Sequence, residues 1–140
     1  MLVVVGFVSM LTAHATNAER LMVVVNPASG IDMLTRDEIV NIFMGRQQRL
    51  GERTVALPLD MAASNAEKAS FYTFLLEKDL AEVNSYWARL IFSGQGSPPR
   101  QIDTAEQVRE AVLANVGAIG YLPEGAPTDG LTVVHILGND

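Results

Sequence analysis

Cysteine is absent from this chain. That excludes disulfides, thiolate nucleophiles, cysteine zinc sites and a lipid-modified N-terminal cysteine. Histidine is almost absent: His14 falls in the apolar leader described below, and His135 lies on a β-branched run. One imidazole, with no Cys and no Ser in a Gly-x-Ser-x-Gly elbow, does not make a triad. No His-x-x-x-His spacing offers a metal pair. Acidic pairs such as Asp37/Glu38 sit at helix starts, where the helix dipole favours them without any chemistry. The turn Asn26-Pro-Ala-Ser-Gly30 lacks the Gly-Lys-Ser/Thr end of a phosphate loop. The sequence therefore reads as non-catalytic, with no catalytic residue, metal or cofactor. Positive charge is also short. Ten Lys and Arg against 16 Asp and Glu give −6, which argues against a nucleic-acid surface. The overall field repels anions, so an anion site has to be built locally.

What is present suits one small globular domain. Apolar residues make up 49% of 140 residues, enough for a core. Residues 1–18 stand apart. Met1 to Met10 is almost wholly apolar, and Thr16-Asn17-Ala18 places small residues before Glu19. This pattern predicts a cleaved signal peptide over 1–18, a domain over 19–140 and a periplasmic location. The apolar run is too short to span a bilayer. No Lys or Arg precedes it, and the competing reading is a buried strand over Leu2–Gly6.

Strands and helices alternate through the rest. Leu21–Val25 reads as a buried strand ended by Asn26-Pro27. Thr35-Arg-Asp-Glu38 is a capping box, followed by Ile39, Ile42 and Phe43 on one helix face and a stop at Gly45. Residues 47–53 read as a loop. Val55–Leu59 reads as a strand whose Pro58 favours an edge or an end. Ser64-Asn-Ala-Glu67 reads as a second capping box, opening a helix with Phe71, Phe74 and Leu75 on its apolar face. A helix from about Leu80 to Phe92 carries Val83, Trp87, Leu90 and Ile91, and Gly94, Gly96, Pro98 and Pro99 break it. Asp103-Thr-Ala-Glu106 reads as a third capping box, for a helix through Val108, Val112 and Leu113. Residues 118–122 and 131–136 read as the last strands. The pattern predicts an α/β domain with a largely parallel sheet flanked by helices.

Three segments carry a resemblance. They are Leu34-Thr-Arg-Asp-Glu-Ile-Val-Asn-Ile-Phe-Met-Gly45, Tyr86-Trp-Ala-Arg-Leu-Ile-Phe-Ser-Gly94 with Pro98-Pro99, and Gly117-Ala-Ile-Gly-Tyr121. In order and spacing they resemble the phosphate-type (type 2) periplasmic solute-binding family. The resemblance implies a receptor-type fold that works non-covalently, in company with a membrane ABC transporter. Such receptors are usually two-lobed, and this chain has the size of a single lobe. The family places an Arg and a Ser-Gly-Thr turn before the helix that carries Phe71. Here that interval reads Asp60-Met-Ala-Ala-Ser-Asn-Ala-Glu67, with no Arg and no Gly. The carboxylates of Asp60 and Glu67 would oppose a dianion by on the order of a kcal/mol or more at effective dielectrics near 20.

The expected contact is a phosphate-like oxyanion or small polar solute at the start of the Ser64 helix, lined by Asp60, Ser64 and Asn65. Ser64 has a simpler reading as an N-cap alone. Arg46, Arg49 and Arg53 read as a solvated face rather than a cationic rim, and Trp87 reads as core rather than as the wall of a ligand groove. The alternative function is a periplasmic interaction or sensing module of the same fold that has lost phosphate binding. Its partner would be another periplasmic protein. A homodimer that builds a cleft from two lobes would reconcile the two.

Overall fold

The computed structural model describes residues 20–139. The leader expected over 1–18, and the alternative strand there, lie outside the described residues. Five strands form the main sheet: β1 (Arg20–Val25), β4 (Leu57–Met61), β5 (Arg100–Ile102), β6 (Ala118–Pro123) and β7 (Thr132–Gly138). Their order is β5-β4-β6-β1-β7. β4 runs parallel to β5 and β6, whereas β1 runs antiparallel to β6 and β7. Four of the five strands therefore point the same way and β1 alone is reversed, which matches the expected largely parallel sheet. A register shift between Val23 and Val24 bends the β1–β7 pairing.

The helices are α1 (Arg36–Phe43), α2 (Ala66–Leu76), α3 (Leu80–Phe92) and α4 (Ala105–Ala114). Residues along a strand point alternately to the two faces of its sheet, and β6 shows what each face meets. Gly120 faces α4 so closely that a Cβ there would lie 2.7 Å from Val108 Cγ1. Tyr121, one residue on, stacks on Phe71 of α2. With both faces covered, Ala118 to Leu122 are all buried, as a doubly covered strand requires. Ile39, Ile42 and Phe43 of α1 join the core as their spacing predicts. Trp87 is core too, with 6% of its surface exposed.

Several local expectations are revised. The stretch 47–53 is not wholly loop: β2 (Arg49–Leu50) and β3 (Thr54–Val55) form a small hairpin. β5 carries no signal in the sequence, because three residues after Pro98-Pro99 are too few to show a period. Ile91 is 55% exposed, so the apolar face of α3 is narrower than its spacing suggests. On α2 the buried stripe is Lys68, Phe71, Tyr72 and Leu75, and Phe74 is only half buried.

The capping boxes divide. Thr35 and Glu38 cap each other as expected. The third box is displaced by one residue: Thr104, not Asp103, is the N-cap and accepts from the Gln107 N–H at 3.1 Å. The second does not form. A turn closed by the Asn65 N–H on the Ala62 carbonyl (2.9 Å) moves the N-cap to Asn65. Ser64 then lies outside the helix. Among the described residues no helix is long and apolar enough to cross a membrane.

Candidate functional site

β4 is an apolar strand with one carboxylate, Asp60, next to its last residue. Asp60 is 3% exposed, and burying that charge requires partners. It has four. Its Oδ1 accepts the Tyr121 hydroxyl at 2.5 Å and the Met61 N–H at 2.8 Å. Its Oδ2 accepts the Tyr72 hydroxyl at 2.6 Å and lies 3.7 Å from Lys68 Nζ. The two tyrosines come from different elements. Tyr121 belongs to the neighbouring strand β6, and Tyr72 lies one helical turn beyond Lys68 on α2. The Tyr121 oxygen also accepts from the Met61 N–H at 3.1 Å, which ties the strand end to the hydroxyl.

Burial pushes both phenols far above the ordinary tyrosine value, and the negative charge and hydrogen bonds of Asp60 push them further. Both remain neutral donors across the physiological range. Phe43, Phe71, Tyr72 and Tyr121 pack as one aromatic cluster, and its two hydroxyls meet the carboxylate.

The sequence-predicted residues occupy different environments. Asp60 is buried and fully engaged. Ser64 is exposed. Asn65 is partly buried, and its Nδ2 donates to the Asp103 carbonyl at 2.7 Å, joining the start of α2 to the start of α4. The amide is thereby drawn away from its own helix, and no side chain caps α2. In α1, α3 and α4 the side chains of Thr35, Asp79 and Thr104 do this work. The N-cap of α2 thus offers no side-chain acceptor to the first-turn N–H groups, of which that of Lys68 donates to the Asn65 carbonyl at 3.2 Å, and Glu67 lies in the same turn. Uncapped N–H groups at a helix start attract anions.

Lys68 and Tyr72 were missed by sequence reasoning. A signal existed: a lysine at position 68 shares the 3–4 residue spacing of Phe71, Tyr72 and Leu75. A cation on the buried stripe of a helix needs a carboxylate, and Asp60 lies near the end of the preceding strand. His135 is not part of this site, since its Nδ1 contacts the Leu34 carbonyl at 2.9 Å. Arg46, Arg49 and Arg53 are exposed. Among the described residues no group of three or more His, Cys, Asp and Glu could hold a metal ion.

No protein-family model matches the chain, and a search of curated proteins gives no match. Solved structures do match. An ABC-type phosphate transport receptor from Vibrio cholerae superposes with a TM-score of 0.66 at 16% identity, over 87% of this chain and 48% of the receptor. PstS from Borrelia burgdorferi gives 0.64 at 17% identity, over 85% and 48%. A putative phosphate ABC transporter substrate-binding protein from Clostridium perfringens, solved with bound phosphate, gives 0.63 at 15% identity, over 85% and 46%. The fold is thus that of phosphate-receptor structures, and the chain spans about half their length.

Proposed function

We propose that this chain is a non-catalytic solute-binding lobe that receives a small oxyanion at the N-terminus of α2. The observation that carries this reading is the uncapped start of α2, in a fold shared with receptors of which one holds phosphate. Ser64 and Asn65 are the proposed contacts, together with the first-turn N–H groups. Asp60 acts from beneath: its oxygens are taken, so it holds the loop and sets the field. Lys68 offsets that charge, which leaves Glu67 as the local opposition to a dianion. Export to the periplasm and work beside a membrane transporter belong to the same proposal.

Calorimetric titration of the protein with phosphate at low ionic strength tests this. Saturable binding at micromolar or tighter, weakened by Asn65→Ala, supports the receptor reading. No heat up to millimolar phosphate removes phosphate as the ligand.

One observation favours the second reading, an interaction or sensing module. Phe92 is 96% exposed beside Ile91, which is 55% exposed, at the end of α3. Contiguous exposed apolar patches above roughly a few hundred Å² mark contact surfaces, and these two side chains would lie in one. Size-exclusion chromatography distinguishes the forms of this reading. A strict monomer, with ligand present, ends the homodimer.

A further inference from the structure

A second cavity opens at the far end of α2. Asn65 stands at one end of that helix and Leu76 at the other, roughly 16 Å away at about 1.5 Å per residue. The cavity has a volume of about 460 Å³ and is bounded by the end of α1, the end of α2 and the first turns of α3. Small-molecule sites typically span roughly 300–1,000 Å³. The frame is tied together by one hydrogen bond: the Tyr86 hydroxyl on α3 donates to the Met44 carbonyl at the end of α1, at 2.7 Å. Beyond Met44 the chain turns through Gly45 at φ 75°, and the Arg46 N–H returns to the Asn41 carbonyl at 2.8 Å. Arg46 therefore starts from fixed backbone. Arg89 starts from the same face of α3 as Glu82 and Tyr86, which precede it at helical spacing.

Three cations, Arg46, Lys78 and Arg89, and two carboxylates, Asp79 and Glu82, line this cavity. The carboxylates are engaged. Glu82 pairs with Lys78 at 3.8 Å, and Asp79 accepts the Glu82 N–H at 2.9 Å as the N-cap of α3. Among the described residues the guanidinium groups of Arg46 and Arg89 have no hydrogen bond, ion pair or ring contact. The lining thus carries one surplus positive charge on a chain of net charge −6, and a local surplus is what an anion needs against a repelling overall field. One negative charge neutralises it, whereas the second charge of a dianion would face Asp79 and Glu82. An arginine fork matches a carboxylate in two parallel bonds, and its plane stacks on aromatic faces. Met44, Leu76, Val83 and Tyr86 supply the apolar part of the lining, and a methionine sulfur makes favourable contacts with aromatic rings. We propose that this cavity is a ligand site for an aromatic monocarboxylate, its carboxylate held by Arg46 and Arg89 and its ring against Met44, Leu76 and Tyr86. The site stands apart from the one proposed at Ser64 and does not rest on it.

The experiment titrates the protein with 2-naphthoate, with its neutral counterpart 2-naphthylmethanol and with phosphate at low ionic strength, by calorimetry and by backbone ¹H–¹⁵N spectra. The expected result is saturable binding of 2-naphthoate, with amide signals moving over residues 44–46 and 76–89 and stationary over 64–68. The alcohol should bind at least about tenfold more weakly. Arg46→Gln and Arg89→Gln should each weaken 2-naphthoate binding by at least about tenfold, the worth of one hydrogen bond to a charged group. Both arginines are exposed, so both variants should fold as wild type does. No saturable heat up to millimolar 2-naphthoate overturns the proposal, as does equal binding of the alcohol, or binding unchanged in both variants. Shifts confined to 64–68 overturn the placement. Displacement of 2-naphthoate by phosphate means a general anion patch and overturns the ligand class. The two proposed sites are told apart by position, since phosphate held at the start of α2 moves the signals of residues 64–68.

Discussion

The ring of Phe71 lies flat against that of Tyr121, with centroids 4.0 Å apart and planes within 6°. This contact holds α2 against β6, and it fixes the height at which the Tyr121 hydroxyl meets Asp60. The hydrogen-bond set around the carboxylate therefore depends on an apolar contact. Tyr121→Phe keeps the stack and removes the hydroxyl. It should destabilise the fold by about 1.5–3 kcal/mol, the range for a hydrogen bond to a charged group, measured by urea unfolding. Phe71→Leu should lower stability through packing and loosen the same carboxylate.

Asp60 and Lys68 should show a strong asymmetry. Removing Asp60 alone, as Asp60→Ala, leaves a buried ammonium uncompensated and two phenols without an acceptor, and should cost about 3–5 kcal/mol. Asp60→Leu combined with Lys68→Met removes both charges and should cost less than either change alone predicts. A double-mutant cycle on unfolding free energies checks this, and simple additivity would exclude the pairing.

Alkaline pH should unfold the protein through its tyrosines. In the unfolded chain Tyr72 and Tyr121 ionise near their ordinary value of 10.0, whereas the folded state holds both far higher. A raised folded pKa gives stability that is complete below about pH 10 and lost as pH rises above it. Two such groups give a slope approaching about 2.7 kcal/mol per pH unit. Stability measured against pH in wild type and Tyr72→Phe should differ in slope by one group. Tyrosinate absorbance from these two residues should appear only with unfolding.

Helix caps offer a smaller test. Thr35→Ala removes a working cap and should cost about 1 kcal/mol. Ser64→Ala should leave stability within about 0.5 kcal/mol, as expected of an exposed residue outside any such feature. Equal losses at the two positions would contradict the start of α2 at Ala66.

Gly117 should tolerate no side chain. A Cβ there would lie 2.0 Å from the Val55 carbonyl oxygen, and that carbonyl is backbone that cannot turn aside. Gly117→Ala should cost at least about 1–3 kcal/mol. Gly120→Ala meets the movable Val108 side chain instead, and Val108→Ala should partly rescue it. Thermal unfolding of the three variants would separate the two cases.

The architecture was readable in the sequence because α1, α3 and α4 pair helical spacing with strong stops, and because Leu21–Val25 and Ala118–Leu122 are unbroken apolar runs. The reversal of β1 was not readable, since a strand buried on both faces carries no mark of its direction. The site was half readable. Asp60 and the start of α2 stand out, but the Ser64 capping box misleads: Ser-x-x-Glu spacing cannot reveal that a turn at Ala62 shifts the cap by one residue. Tyr121 was noticed for its motif and not for its hydroxyl, because its partner lies 61 residues away.

The reversed central strand has a consequence for the order of assembly. β1 is made first, yet its two neighbours, β6 and β7, are made last, with Val25 opposite Ile119 on one side and Thr132 on the other. Until residue 118 has been synthesised, β1 lacks both of the partners it has among the described residues, and loops of about a hundred residues must close before it pairs with them. Such late, long-range closure slows folding. Between the synthesis of β1 and that of β6 the strand is open to whatever binds extended apolar segments, and the sheet closes only once β6 and β7 have emerged.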